Sequence, residues 1–87
     1  MVSKKVVVNC PIGLQVQPAG VVCKAAVEFK SKISFDYYGG NANAKSMLNI
    51  LGACIKDKDE IELICDGEDE NEALEVIATL LEEGLAG

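Results

Sequence analysis

Histidine and arginine are both missing from this 87-residue chain. Without histidine it lacks the commonest general base and a main metal ligand. All eight basic residues are lysines, so no side chain offers a rigid bidentate fork to a phosphate or carboxylate. Positive charge is scarce overall. The formal net charge is -6, which speaks against nucleic acid or an anionic membrane as a partner. Long apolar runs are absent too, and no segment approaches the roughly 18 residues a membrane span needs. The opening Met1 to Asn9 is too short for a signal peptide, so a cytoplasmic location and no membrane association are expected. The four cysteines (Cys10, Cys23, Cys54, Cys65) contain no C-x-x-C pair and have no histidine beside them. That argues against zinc, and no metal or cofactor is expected. Reduced, buried or half-buried thiols fit better.

A hydrophobic fraction of 49% implies a folded globule with one core, read as a single domain over residues 1–87. Lysines crowd the first half and acids fill Asp57 to Glu83. This is an acidic solvated face, or a surface that selects a basic partner.

Lys4 to Asn9 is rich in β-branched residues and places Val6 and Val8 on one face of a strand. Pro11 and Gly13 make the next stretch a loop. From Val16 the spacing turns helical: Ala19, Val22, Cys23, Ala26 and Val27 form one stripe, and Pro18 sits in the first turn, where a missing N–H is tolerated. The helix is expected to end near Glu28, with Phe29 tucking back. Lys32 to Tyr38 alternates as a half-buried strand, Gly39-Gly40 signals a hairpin, and Asn41 to Asn43 returns from it. Ser46 is placed as the N-cap of a short helix, Met47 to Cys54. Lys56 to Asp59 is a polar turn. Glu60 to Cys65 is a strand with Ile61, Leu63 and Cys65 on one face. Asp69 with Glu72 resembles a capping box opening a last helix, whose buried face is Ala73, Leu74, Ile77, Ala78, Leu80 and Leu81. Gly84 suits its end. The order β-α-β-β-α-β-α reads as α+β, an antiparallel sheet with helices on one face.

The stretch Gly13 to Ala19 delivers a loop onto the first turn of a helix, where unpaired N–H groups point outward and suit an anion. Gln15, Val16 and Gln17 are the residues placed to bind one. Neither glutamine is a nucleophile or a charge.

Three blocks, Ile12 to Ala19, Asn43 to Ser46 (Asn-Ala-Lys-Ser) and Gly67 to Leu74, occur in the order in which the HPr family carries them. The whole chain resembles that family, the histidine-containing phosphocarriers of the bacterial sugar phosphotransferase system. The resemblance implies an open-faced β-sandwich of four antiparallel strands with three helices on one face. The family motif reads Gly-Leu-His-x-Arg-Pro-Ala. Here Gln15 stands at the phosphoacceptor histidine and Gln17 at the arginine. An amide nitrogen is delocalised into its carbonyl and is a poor nucleophile, so phosphohistidine carrier activity is expected to be absent.

The chain is similar to the Crh branch of the family, which also has glutamine at the position of Gln15. The resemblance implies phosphorylation of Ser46 by HPr kinase/phosphorylase and binding to a CcpA-type transcription regulator. Met47, Leu48 and Leu51 would form the apolar contact face. A phosphate on a helix-capping serine meets free N–H groups and the positive dipole end, and Lys45 would add a nearby charge. Crh keeps the arginine that Gln17 replaces, a departure that weakens a charged contact to phosphate or partner. On a short surface helix Met47 and Leu48 cannot both point inward, so at least one should be exposed.

The expected function is therefore regulatory and not enzymatic: a module in carbon catabolite control, switched at Ser46. One alternative is a diverged domain that binds a protein or a small anion without phosphorylation. Another is residual phosphotransfer chemistry, for which Cys10 and Cys23 are the thiols nearest Gln15 in sequence.

Overall fold

A computed structural model describes residues 1–83, so the expected helix end at Gly84 lies outside the described residues. The elements run β1 (Val2–Val7), α1 (Val16–Ala26), β2 (Lys32–Tyr37), β3 (Gly40–Asn43), α2 (Met47–Gly52), β4 (Glu60–Asp66) and α3 (Glu70–Glu83). The four strands form one sheet in the order β1-β4-β2-β3, and every neighbouring pair is antiparallel. This is the expected α+β architecture.

Alternation decides which face is covered. Val6, Ile33, Phe35, Ala42, Ile61, Leu63 and Cys65 all lie buried. The register sets Val6 opposite Ile61, and Phe35 between Ala42 and Leu63, so neighbouring rows of apolar side chains share one face of the sheet. The intervening residues put Lys5 and Asp36 on either side of Glu62, a polar row facing water. An antiparallel sheet with one wet face needs helices only on the other. There α3 packs on β1 and β4, α1 on α2 and α3, and α2 against β3. The helical contribution to the core is Ala19, Val22 and Ala26 from α1, Ile50 from α2, and Ala73, Ile77, Ala78 and Leu81 from α3. Leu74, Leu80 and Phe29 pack against it half-buried.

Several boundaries move from their expected places. The strand expected at Lys4 begins at Val2, because β4 is long enough to pair Val2 with Cys65. Val8, just past the strand, is fully buried beside Val6 as the alternation requires. Helix α1 stops at Ala26, and Val27, expected in the buried stripe, is its C-cap and is exposed. The hairpin turn is Tyr38-Gly39, since Tyr37 already pairs with Gly40. Helix α2 ends at Gly52, two residues short of Cys54, where the backbone turns to a φ of 53°.

Asp69 is a correction of substance. The expected capping box has its carboxylate capping α3 with Glu72 reaching back. Instead, Asp69 accepts from the backbone N–H groups of Lys30 and Ser31, both at 2.9 Å, and from the Ser31 hydroxyl. Glu70 rather than Glu72 reaches back, accepting from the Gly67 N–H at 3.2 Å. The chain passes so close here that a Cβ on Gly67 would meet the Ser31 Cα at 2.7 Å. A long-range acceptor role has displaced the local cap, because the turn leaving α1 brings two unpaired N–H groups to the start of α3.

Candidate functional site

The loop from Asn9 to Gln15 is held to the turn before β4 by two backbone N–H groups and one side chain. The Cys10 N–H donates to Asp57 at 2.9 Å, the Leu14 N–H to the Ile55 carbonyl at 2.9 Å, and Lys58 Nζ to the Asn9 side chain at 2.8 Å. Gly13 adopts a φ of +76°, and a Cβ there would sit 3.1 Å from the Ile55 carbonyl oxygen. The positive φ favours glycine, and the close carbonyl leaves little room for a side chain. Buried Leu14 anchors the loop to the core.

Gln15 follows as the N-cap of α1 in extended conformation, and its side chain makes no capping bond. The first helical hydrogen bond runs from the Ala19 N–H to the Gln15 carbonyl at 2.8 Å. The N–H groups of Val16 and Gln17 therefore precede the helix ladder, and Pro18 has none. Gln15, Val16 and Gln17 are all exposed, so the structure brings the three expected anion-site residues together at one helix start. Beside them lies an open cleft of about 730 Å³, walled by Ile12, Gln15 and Val16 on one side and by Leu51, Cys54 and Ile55 on the other. Lys56 and Asp57 complete its lining with one charge of each sign.

The two thiols considered near Gln15 are otherwise engaged. Cys10 is fully buried and its Sγ donates to the Gly13 carbonyl at 3.1 Å. Cys23 is half-buried and points to the Lys45 carbonyl at 3.4 Å. Cys54, expected at the end of α2, is instead an exposed thiol lining the cleft. No spacing signal marks it, because its exposure depends on where α2 stops.

The second part of the site is the start of α2. Ser46 is its N-cap as expected, with Oγ accepting from the Asn49 N–H at 3.2 Å. Leu48 is 82% exposed, while Met47 and Leu51 are half-buried against the core. Of the three expected contact residues, Leu48 is the one that projects fully into solvent. Lys45 was expected to place a charge near Ser46. Its ammonium instead donates to the Phe29 carbonyl at 2.7 Å, tying the loop before α2 to the turn after α1. A carbonyl near the end of a helix is a favourable place for a cation.

The strand order, the three helices on one face, and a loop-borne helix start beside a serine-capped helix define an HPr-type open-faced β-sandwich. Residues 2–83 match the family model described as PTS HPr component phosphorylation site. The HPr-like protein Crh of Bacillus subtilis is 37% identical over 83 residues, covering 95% of this chain and 98% of that protein. The phosphocarrier protein HPr of Lysinibacillus sphaericus is 37% identical over 87 residues, covering 99% of each. Among solved structures, HPr of Bacillus anthracis superposes with a TM-score of 0.89 at 33% identity, covering 93% of this chain and 96% of that one. The crystal structure of Bacillus subtilis Crh matches with a TM-score of 0.78 at 37% identity over 97% of each chain. The chain belongs to the HPr family of the phosphotransferase system, on its Crh-like branch. No helix among the described residues is long and apolar enough to cross a membrane.

Proposed function

We infer that this protein is a regulatory member of its family that does not carry phosphohistidine and is switched by phosphorylation at Ser46. The observation that carries the reading is Gln15. It occupies the helix start where the family motif has its phosphoacceptor, and the chain holds no histidine to replace it. The carboxamide has no lone pair basic enough to take and return a phosphoryl group. The buried Cys10 supports the same conclusion against a thiol substitute.

Ser46 is the hydroxyl that this reading makes the acceptor. It stands at the start of α2, next to the exposed Leu48, with the half-buried Met47 and Leu51 extending the apolar surface towards the cleft. In this reading HPr kinase/phosphorylase adds the phosphate and a CcpA-type transcription regulator reads it, placing the protein in carbon catabolite control. The protein is then a partner and not an enzyme. Gln17 supplies neutral hydrogen bonds in place of a charged fork, so the regulator's contact relies more on the apolar face and on the phosphate itself.

The test is intact-mass measurement after two incubations. HPr kinase/phosphorylase with ATP should add one phosphate to the parent and none to Ser46→Ala. Enzyme I with phosphoenolpyruvate should add none to either. A parent that stays unmodified by the kinase, or that takes phosphate from enzyme I, overturns the reading.

A further inference from the structure

The Ser46 hydroxyl is already occupied in this fold. A serine Oγ has one proton to give and two lone pairs to accept with. Here it accepts twice from one residue, from the Asn49 backbone N–H at 3.2 Å and from Asn49 Nδ2 at 3.1 Å. The first of these is the ordinary N-cap bond and persists while α2 is formed. The second belongs to the Asn49 side chain alone. That side chain is fixed at its other end, because Asn49 Oδ1 accepts from the Asn43 N–H at 3.2 Å. Asn43 in turn accepts from the Lys45 N–H through its own side chain at 2.9 Å. One carboxamide thus spans from the last residue of β3 to the Ser46 hydroxyl.

We propose that Asn49 is a latch on the phosphoacceptor, a positioning residue that slows phosphoryl transfer to Ser46 by occupying the lone pair its oxygen must use. The inference rests on the reading of Ser46 as phosphoacceptor and names how that site is controlled. In the transfer, Ser46 Oγ attacks the γ-phosphorus of ATP and a new O–P bond forms. The bond from that phosphorus to the β,γ-bridging oxygen breaks and ADP leaves. The hydroxyl proton passes to a general base of the kinase. Attack requires a free Oγ lone pair directed at phosphorus. Releasing one means breaking the Asn49 Nδ2 bond and turning the carboxamide away from Asn43. Asn49 is exposed, so water competes for these groups and the latch is light. A neutral hydrogen bond of this kind corresponds to a rate effect of roughly two- to fivefold.

The test is steady-state phosphorylation of the full chain by HPr kinase/phosphorylase and ATP, comparing the parent, Asn49→Ala and Ser46→Ala. Circular dichroism confirms that each variant is folded. Asn49→Ala should raise kcat roughly two- to fivefold with KM little changed, since the latch acts on the attacking atom and not on docking. Equal or lower kcat in folded Asn49→Ala overturns the latch while leaving Ser46 as acceptor. A change confined to KM also overturns it, because that assigns Asn49 to the docking surface. Absence of phosphate on all three proteins removes the acceptor role of Ser46, and the latch with it.

Discussion

Asp69 and Ser31 are joined twice: the carboxylate accepts the Ser31 backbone N–H at 2.9 Å and also the Ser31 hydroxyl. Ser31 is buried, and the pair fastens the turn after α1 to the start of α3. The hydroxyl bond, followed by the backbone bond from Lys30, lowers the carboxyl from 3.8 to about 2. A carboxylate depressed by folding stabilises the native state above its unfolded pKa. That contribution is lost as pH falls through the folded value. The melting temperature should therefore fall as the pH is lowered from about 4 to about 2. In Asp69→Asn, which keeps the shape but cannot titrate, the protein should be less stable at pH 7 and the decline shallower. Melting curves across pH for both proteins check this, and parallel curves would sink the assignment.

Gly13 is the hinge of the first site. Its φ of +76° and the 3.1 Å approach to the Ile55 carbonyl leave little room for a side chain. Gly13→Ala should lower stability by about 1–3 kcal/mol, the range for a strained backbone position. Urea unfolding reads the loss. Amide shifts should change mainly around Cys10 to Val16 and Ile55, the segments joined by the Leu14 bond.

The four thiols should react in an order set by burial. Cys54 is exposed, Cys23 half-buried, and Cys10 and Cys65 fully buried. Burial, reinforced by the charges of Glu70 and Asp69, pushes the Cys65 thiol from 9.0 up to about 11. A thiol reagent at mildly alkaline pH should label Cys54 first, and Cys54→Ser should remove the fast phase. Cys65 should be labelled only on unfolding, because its thiolate is both scarce and shielded. Peptide mapping after timed quenching gives the order.

At the start of α1 the Val16 and Gln17 N–H groups precede the helix ladder, and the side chains of Gln15 and Gln17 are neutral and exposed. If only the side chains are lacking, Gln15→His with Gln17→Arg should take a phosphoryl group from enzyme I and phosphoenolpyruvate, whereas the parent should take none. Acid-labile phosphate on the double variant is the readout. A double variant that folds but stays unlabelled would mean that the surrounding surface, including exposed Val16, also blocks the carrier reaction.

Much of the fold was legible because its signals are local. Alternation in Lys32 to Tyr37 and Glu60 to Asp66, the stripe of Ala19, Val22 and Ala26, and a serine before a short apolar run each depend on neighbours a few residues away. The replacement of a nucleophile at Gln15 is a property of the residue itself and needs no coordinates. Lys45 and Val27 depart from their local patterns of charge and helical stripe. Lys45 donates to Phe29, sixteen residues earlier in the chain, and Val27 turns outward where α1 stops.

Legible in the sequence alone were therefore the order of elements, most of the buried faces and the absence of histidine. The tertiary structure decided which polar atoms are free. It buried Cys10 and exposed Cys54, turned Asp69 from a helix cap into an acceptor for Ser31, and set Asn49 between Asn43 and the Ser46 hydroxyl. The reason is physical. Periodicity follows from covalent geometry along one element, whereas a buried or folded polar group takes whichever partner the packing of several elements brings within about 3 Å.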